Sequence, residues 1–137
     1  MNDSLPEEVA VRTETDIVVV RKSVREAATS LGFGITDVTR IITAASELAR
    51  NVFLYAGSGV VRWRVLNGSD KVGIELIFED HGPGIADIDQ AMQAGYTSGG
   101  GLGLGLPGAG RLMDEMEIKS EAGKGTKITV KKWRKGT

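Results

Sequence analysis

Apolar residues recur along the chain with two periods, one of three to four positions and one of two. The longer period runs through residues 36–55 and predicts an amphipathic α-helix that Gly57 ends. An earlier helix is predicted from Asp16, acting as its N-cap, to Leu31, with Gly32 as its stop signal. The first half of the chain is therefore expected to contain two neighbouring helices.

The shorter period predicts β-strands. Alternating apolar and polar residues predict strands at 60–66 and 72–80, and the Asn67-Gly68 pair between them predicts a hairpin. The other predicted elements are a first strand at 8–13, a short helix through Ile85, Ile88 and Met92, a helix at 104–113, and a final hairpin of 116–122 with 126–133 around Gly123-Lys124-Gly125. This order predicts an α/β (α+β) two-layer sandwich, with a mixed, mainly antiparallel sheet covered on one face by helices.

Composition removes several classes of function. The 137 residues contain no cysteine and a single histidine, His81, which excludes disulfides, zinc–thiolate sites and thiol catalysis. No apolar run approaches the length of a membrane span, and the acidic N-terminus lacks the apolar core of an export signal. No repeat or linker divides the chain. We therefore expect a single cytoplasmic domain, residues 1–137, with no membrane partner.

Charge is spread unevenly along the chain. The net charge is −1, yet residues 119–137 hold seven lysines and arginines against Glu121 alone. Such a basic segment can bind nucleic acid, or it can be a solvated edge strand whose lysines prevent edge-to-edge pairing. Because no nucleic-acid motif accompanies it, the edge strand is the favoured interpretation, and no nucleic-acid partner is expected.

Glycine is concentrated in one segment, where eight of the sixteen residues at 95–110 are glycine. Gly103, Gly105 and Gly108 satisfy the G-x-G-x-x-G pattern, but a dinucleotide-binding site requires a strand immediately before it, and a loop is predicted there. What remains is a glycine loop that leads into a helix N-terminus, where free N–H groups suit phosphate oxygens. Residues 99–101 could hinge a lid over a nucleotide.

Three polar motifs could carry chemistry. Glu47 and Asn51 are one turn apart, so they share a helix face that is either solvated or able to offer a base and a Mg²⁺ ligand. Asp80 ends a strand before Gly82 and Gly84, where it either forms a tight turn or accepts a hydrogen bond from an adenine amino group. Thr126 is by itself an ordinary strand residue.

The order of these motifs resembles the GHKL superfamily of ATPases and kinases, which includes gyrase, Hsp90, MutL and histidine kinases. The resemblance covers about residues 16–133 and implies the Bergerat ATP-binding fold, with ATP and Mg²⁺ as cofactors. It implies Asn51 as a Mg²⁺ ligand, Asp80 and Thr126 near the adenine, and the glycine loop at the phosphates. The nucleotide-binding positions that it implies are Asn51, Asp80, Gly82, Gly84, Gly99, Gly100, Gly101, Leu102, Gly103, Leu104, Gly105 and Thr126.

Within the superfamily, the chain looks like the stand-alone serine/threonine switch kinases of bacterial partner-switching modules, of the RsbT type found in the stressosome. The matching stretches are 46–51, 55–57, 105–108 and 111–115. The resemblance implies phosphorylation of STAS-domain scaffold and antagonist proteins with Glu47 as general base. The released kinase would then activate a downstream phosphatase or other output enzyme. A lysine or arginine for the γ-phosphate is missing from the glycine loop, and Arg50 and Arg111 are the candidates that remain.

Two other functions stay open at this point. An anti-sigma factor of the same superfamily would act mainly by sequestering a sigma factor, and copurification with one would favour it. A nucleotide-gated interaction module without turnover could dispense with a base, which the presence of Glu47 argues against.

Overall fold

The computed structural model describes residues 7–85 and 105–134. Within these residues, a five-stranded sheet forms one layer of the molecule. The strands are β1 (Glu7–Val11), β2 (Gly59–Asn67), β3 (Val72–Asp80), β4 (Glu115–Glu121) and β5 (Gly125–Trp133), in the spatial order β1-β2-β3-β5-β4. Every pair of neighbours in this sheet is antiparallel, so the mixed component of the prediction is not found among the described strands.

Among the described residues, three helices cover one face of the sheet. They are α1 (Glu14–Ser30), α2 (Ile35–Ala56) and α3 (Gly105–Leu112), and α2 packs between the other two. The predicted two-layer sandwich is confirmed. Helices α2 and α3 begin and end within one residue of their predictions, whereas the N-cap of α1 lies three residues before the predicted one. The predicted helix through Ile88 and Met92 lies outside the described residues. Within the described part of the chain, none of the helices is long and apolar enough to cross a membrane.

The start of α1 differs from the prediction. Its N-cap is Thr13, and Asp16 occupies the third helical position. There Asp16 Oδ2 accepts hydrogen bonds from the backbone N–H groups of Arg12 at 2.8 Å and Thr13 at 3.0 Å. These donors, Arg12 first, hold the pKa of the Asp16 carboxyl below its ordinary value. Asp16 therefore does mark a helix start, as predicted. It does so as the third-position residue of a capping box whose N-cap is Thr13.

The core lies between the sheet and the helices. Alternate residues of β3 face inward, and Ile74, Leu76 and Phe78 are almost completely buried. Leu76 and Phe78 are paired with Val130 and Ile128 of β5, and the apolar stripe of α2 covers this cluster. Burying one such side chain stabilises the fold by about 1.5–3 kcal/mol. Side chains alternate between the two faces along a strand. Every second residue after Phe78, up to the end of β3, therefore also lies on the face that the helices cover.

The basic C-terminal segment is not an edge strand. β5 lies between β3 and β4, and the edges of the described sheet are β1 and β4. Lys132 is buried, and its Nζ donates a hydrogen bond to Leu112 O at 2.9 Å, at the end of α3. The prediction was wrong because the hairpin folds back so that its second strand, rather than its first, pairs with β3.

Candidate nucleotide-binding site

Asp80 and Thr126 are brought together by strand pairing. Asp80 is the last residue of β3, Thr126 is the second residue of β5, and they are direct partners in the antiparallel register. Asp80 Oδ1 accepts a hydrogen bond from Gly82 N–H at 2.9 Å, which closes the turn after β3. Its other oxygen, Oδ2, has no hydrogen bond within the described residues.

The two glycines after Asp80 are required by packing. A Cβ on Gly82 would lie 2.5 Å from the Cβ of Ala56, at the end of α2. A Cβ on Gly84 would lie 2.3 Å from the carbonyl oxygen of Glu121, and Gly84 has a φ of +76°. The turn is therefore held tightly between α2 and the β4–β5 hairpin, which is a structural reason for these glycines beyond close approach to a ligand.

Ser120 is a polar residue of the site that the sequence analysis missed. Its Oγ accepts a hydrogen bond from Ile85 N–H at 2.7 Å, donates to Gly125 O at 3.0 Å, and lies 2.8 Å from Thr126 Oγ1. A serine hydroxyl has one proton to donate. Because Ser120 donates it to Gly125 O, the hydrogen bond between the two hydroxyls must have Thr126 as its donor and Ser120 as its acceptor. The Thr126 oxygen then keeps only acceptor capacity toward a ligand. A hairpin centred on Gly123 pairs Ser120 with Thr126, so the register of the predicted hairpin was the sequence signal that pointed to Ser120.

An open cavity borders these residues. Asp80, Ser120 and Thr126 all line it. It therefore joins the carboxylate at the end of β3 to the hydroxyl pair of the β4–β5 hairpin in one surface.

Glu47 and Asn51 lie in the second half of α2, the helix that reaches the turn through Ala56. Glu47 is only 5% exposed, so a solvated face is wrong for this residue. Its Oε2 lies 3.2 Å from Arg50 Nη1, whereas its Oε1 is buried and has no hydrogen-bond partner in the described part of the chain. Buried polar atoms are rarely left unpaired, so this oxygen calls for an explanation such as a catalytic role or a bound water or ion.

Asn51 is half-buried, and no hydrogen bond to its side chain is present among residues 7–85 and 105–134. The same residues hold no cluster of three His, Cys, Asp or Glu side chains that could bind a metal by themselves. A single amide oxygen does fit Mg²⁺, which is commonly bound by one or two protein ligands together with substrate phosphates. A metal at Asn51 would need the nucleotide to complete its coordination.

The C-terminal end of the glycine loop is the start of a helix. Gly99, Gly100, Gly101, Leu102, Gly103 and Leu104 lie outside the described residues. Gly105 is the first residue of α3, which agrees with a loop that leads into a helix N-terminus. The same helix is fixed at its other end, where Lys132 binds the Leu112 carbonyl.

Comparison with known proteins identifies the family. Residues 36–136 match the profile of the family described as histidine kinase-, DNA gyrase B- and HSP90-like ATPase. The chain belongs to this family. The expected superfamily is thereby confirmed, and the domain is of an ATP-using kind.

Two curated proteins are informative relatives of this chain. The chain is 50% identical to the serine/threonine-protein kinase RsbT of Bacillus subtilis over 125 residues, which cover 91% of this chain and 94% of that protein. It is 36% identical to an anti-sigma F factor of Clostridium beijerinckii over 105 residues, 72% of each protein. The similarity to the kinase therefore extends over nearly the whole of both chains.

Solved structures agree on the fold. The RsbU and RsbW domains of Rv1364c from Mycobacterium tuberculosis match with a TM-score of 0.63 at 24% identity, over 96% of this chain and 33% of that one. The chain thus spans about a third of that longer protein. The solved chain of the mycobacterial sensor histidine kinase MprB matches with a TM-score of 0.56 at 19% identity, over 97% of this chain and 100% of that one. At these identities the likeness concerns the fold alone.

Proposed function

We propose that this chain is an ATP- and Mg²⁺-dependent protein serine/threonine kinase of a bacterial partner-switching module, acting in the cytoplasm as one domain, residues 1–137. The observation that carries the proposal is the buried Glu47 carboxylate, whose Oε1 has no partner in the described residues and which lies one turn before Asn51. The 50% identity to a protein named as a serine/threonine kinase supports the same activity.

Each site residue has a role in this proposal. Asp80 Oδ2 accepts a hydrogen bond from the adenine amino group, and Thr126 contacts the base as an acceptor, while Gly82 and Gly84 hold the turn. The loop residues Gly99, Gly100, Gly101, Leu102, Gly103, Leu104 and Gly105 surround the phosphates. Asn51 offers its amide oxygen to Mg²⁺, and the metal, when bound, neutralises charge on the phosphates.

Phosphoryl transfer then needs mainly positioning and one proton acceptor. Glu47 Oε1 accepts the proton of a serine or threonine hydroxyl on the protein substrate. The hydroxyl oxygen bonds to the γ-phosphorus, the bond from that phosphorus to the β–γ bridging oxygen breaks, and ADP leaves.

The proposed substrates are STAS-domain scaffold and antagonist proteins. Phosphorylation of the scaffold releases the kinase, which then binds and activates a downstream phosphatase or other output enzyme. The similarity to proteins named RsbT and anti-sigma F factor supports a partner-switching role of this kind. The second candidate is an anti-sigma factor that sequesters a sigma factor, which the 36% identity to an anti-sigma F factor favours.

The test is phosphoryl transfer from radiolabelled ATP with Mg²⁺ to a panel of STAS-domain proteins from the same organism. We expect label on a serine or threonine, reduced by about 10²–10⁴-fold in Glu47→Gln. Glu26→Gln, an exposed position on α1, is the matched control and should transfer normally. Binding of ATP with no transfer to any STAS protein, and copurification with a sigma factor, would favour sequestration instead.

A further inference from the structure

Arg50 is the charged partner of Glu47. Its guanidinium Nη1 lies 3.2 Å from Glu47 Oε2, and the two residues are three positions apart on α2. The Arg50 side chain is 36% exposed, whereas that of Glu47 is 6% exposed. Arg50 therefore stands at the rim of the helix surface, with its charged end against a carboxylate that is almost fully withdrawn from water.

A second pair on the same helix shows what is unusual here. Arg40 Nη1 lies 2.8 Å from Asp37 Oδ1, again at a spacing of three, but Lys132 Nζ also lies 3.8 Å from that oxygen. Asp37 thus has two cationic neighbours. Glu47 has Arg50 alone within the described residues, and one of its two oxygens is left without any partner.

We propose that Arg50 is a positioning residue, which holds Glu47 Oε2 and thereby leaves Oε1 as the unpaired oxygen that accepts the proton. The terminal torsion of a glutamate is soft, so its two oxygens exchange readily unless one is fixed. A charge-assisted hydrogen bond to Oε2 removes that freedom and compensates a buried negative charge that would otherwise be costly. The inference rests on the proposed kinase activity, in which Glu47 accepts the hydroxyl proton.

This assignment also separates two roles for Arg50. A cation near the glycine loop could instead meet the γ-phosphate and stabilise the transferring group directly. In the structure the guanidinium contacts Glu47 Oε2, which favours the positioning role. A residue that acts through Glu47 should have no effect once Glu47 can no longer act as a base, whereas a residue on the phosphate should still have its own effect.

The experiment is a double-mutant cycle on phosphoryl transfer, with wild type, Arg50→Ala, Glu47→Gln and the double variant. We expect Arg50→Ala to lower kcat by about 10–100-fold, the usual loss when the partner that orients a reactive group is removed. The affinity for Mg·ATP and the KM for ATP should remain close to wild type. The double variant should fall within about threefold of Glu47→Gln alone, because residues that act as a unit are not additive.

Two further variants separate positioning from stability. Arg50→Lys retains the charge and should recover part of the rate that Arg50→Ala loses. Arg40→Ala removes the comparable pair on the same helix and should leave kcat unchanged, provided that thermal unfolding shows both alanine variants folded.

Three results would overturn the inference while leaving the kinase intact. They are a wild-type rate in Arg50→Ala, a full multiplicative loss in the double variant, and an equal loss in Arg40→Ala. If wild type itself transfers no phosphoryl group to the STAS panel, then the proposed function fails first, and the cycle reports that directly.

Discussion

Asp80 and Thr126 face each other across β3 and β5 on the side of the sheet that the helices cover. They are register partners, and Asp80 continues the inward alternation of Leu76 and Phe78 by one step. Residues directly opposite in an antiparallel pair present their side chains on the same face. The polar end of the site is therefore an extension of the core pattern, in which the last inward position of β3 carries a carboxylate instead of an apolar group.

Asp80→Asn tests the role of this carboxylate in recognising adenine. An amide oxygen can still accept from Gly82 N–H, so the turn should persist, but the amide nitrogen then faces the adenine amino group as a second donor. We expect ATP affinity to fall by about 10–100-fold, since hydrogen bonds to charged groups contribute about 1.5–3 kcal/mol. Isothermal titration calorimetry would measure this.

The same variant predicts a change in base selectivity. Purine riboside triphosphate lacks the exocyclic amino group, so wild type should bind it more weakly than ATP, and Asp80→Asn should bind the two about equally. Glu79→Gln, which alters the neighbouring carboxylate in its ion pair with Arg62, is the matched control and should keep the preference for ATP. An unchanged preference in Asp80→Asn would remove Asp80 from the base.

Ser120→Ala tests the hydroxyl pair. Without Ser120 Oγ, the Thr126 hydroxyl loses its acceptor and Ile85 N–H loses its partner, so Thr126 is no longer fixed as an acceptor. We expect ATP to bind about 3–30-fold more weakly, which corresponds to one or two lost hydrogen bonds. Ser30→Ala removes a similar hydroxyl contact at the end of α1 and should not alter binding. Equal affinity of the Ser120 variant and wild type would contradict this view of the site.

The sequence could predict the elements and the residues that pair within them. Period and glycine signals place α2 and its end at Gly57, and a hairpin centred on Gly123, because both depend on local physics. The sequence could not predict that Glu47 is buried, since helix geometry alone left open whether the face it shares with Asn51 is solvated. Its burial depends on what packs against α2 from elsewhere in the chain. For the same reason, the interior place of β5 was not predictable from its lysines.

Asp16 predicts a specific dependence of stability on pH. The backbone donors of Arg12 and Thr13 lower its pKa in the folded state, so between the two pKa values the unfolded chain binds more protons. The stabilisation is therefore complete above the unfolded pKa and is lost as pH falls through the lower, folded pKa. Thermal unfolding should show Asp16→Ala less stable than wild type near neutral pH.

The difference between Asp16→Ala and wild type should disappear below both pKa values, where the carboxyl is protonated in either state. Glu26→Ala, in the middle of the same helix, is the control for the loss of one negative charge. A difference between Asp16→Ala and wild type that persists unchanged in acid would mean that the contribution of Asp16 is not electrostatic.

Gly84 and Gly123 form a matched pair for the packing of the turn. Both have positive φ, +76° and +79°, so alanine at either position carries a backbone cost of about 1–2 kcal/mol. Only at Gly84 would the new Cβ also collide with a backbone carbonyl, that of Glu121, because nothing lies within 4 Å of Gly123. We expect Gly84→Ala to lower the free energy of unfolding by about 2–4 kcal/mol. Urea unfolding that shows equal losses for the two variants would contradict the tight packing of the turn.

Asn51→Ala should separate metal-assisted nucleotide binding from nucleotide binding itself. The variant lacks one protein oxygen that would bind Mg²⁺. Its affinity for ATP in the presence of Mg²⁺ should therefore be about tenfold or more lower than that of wild type. Its affinity measured in EDTA should match that of wild type, because Asp80 and Thr126 are untouched. Asn67→Ala, at the far end of β2 from the Gly59–Asp80 pair, is the matched control. If both affinities fall together in Asn51→Ala, the amide supports the pocket rather than the metal, and the magnesium assignment is wrong.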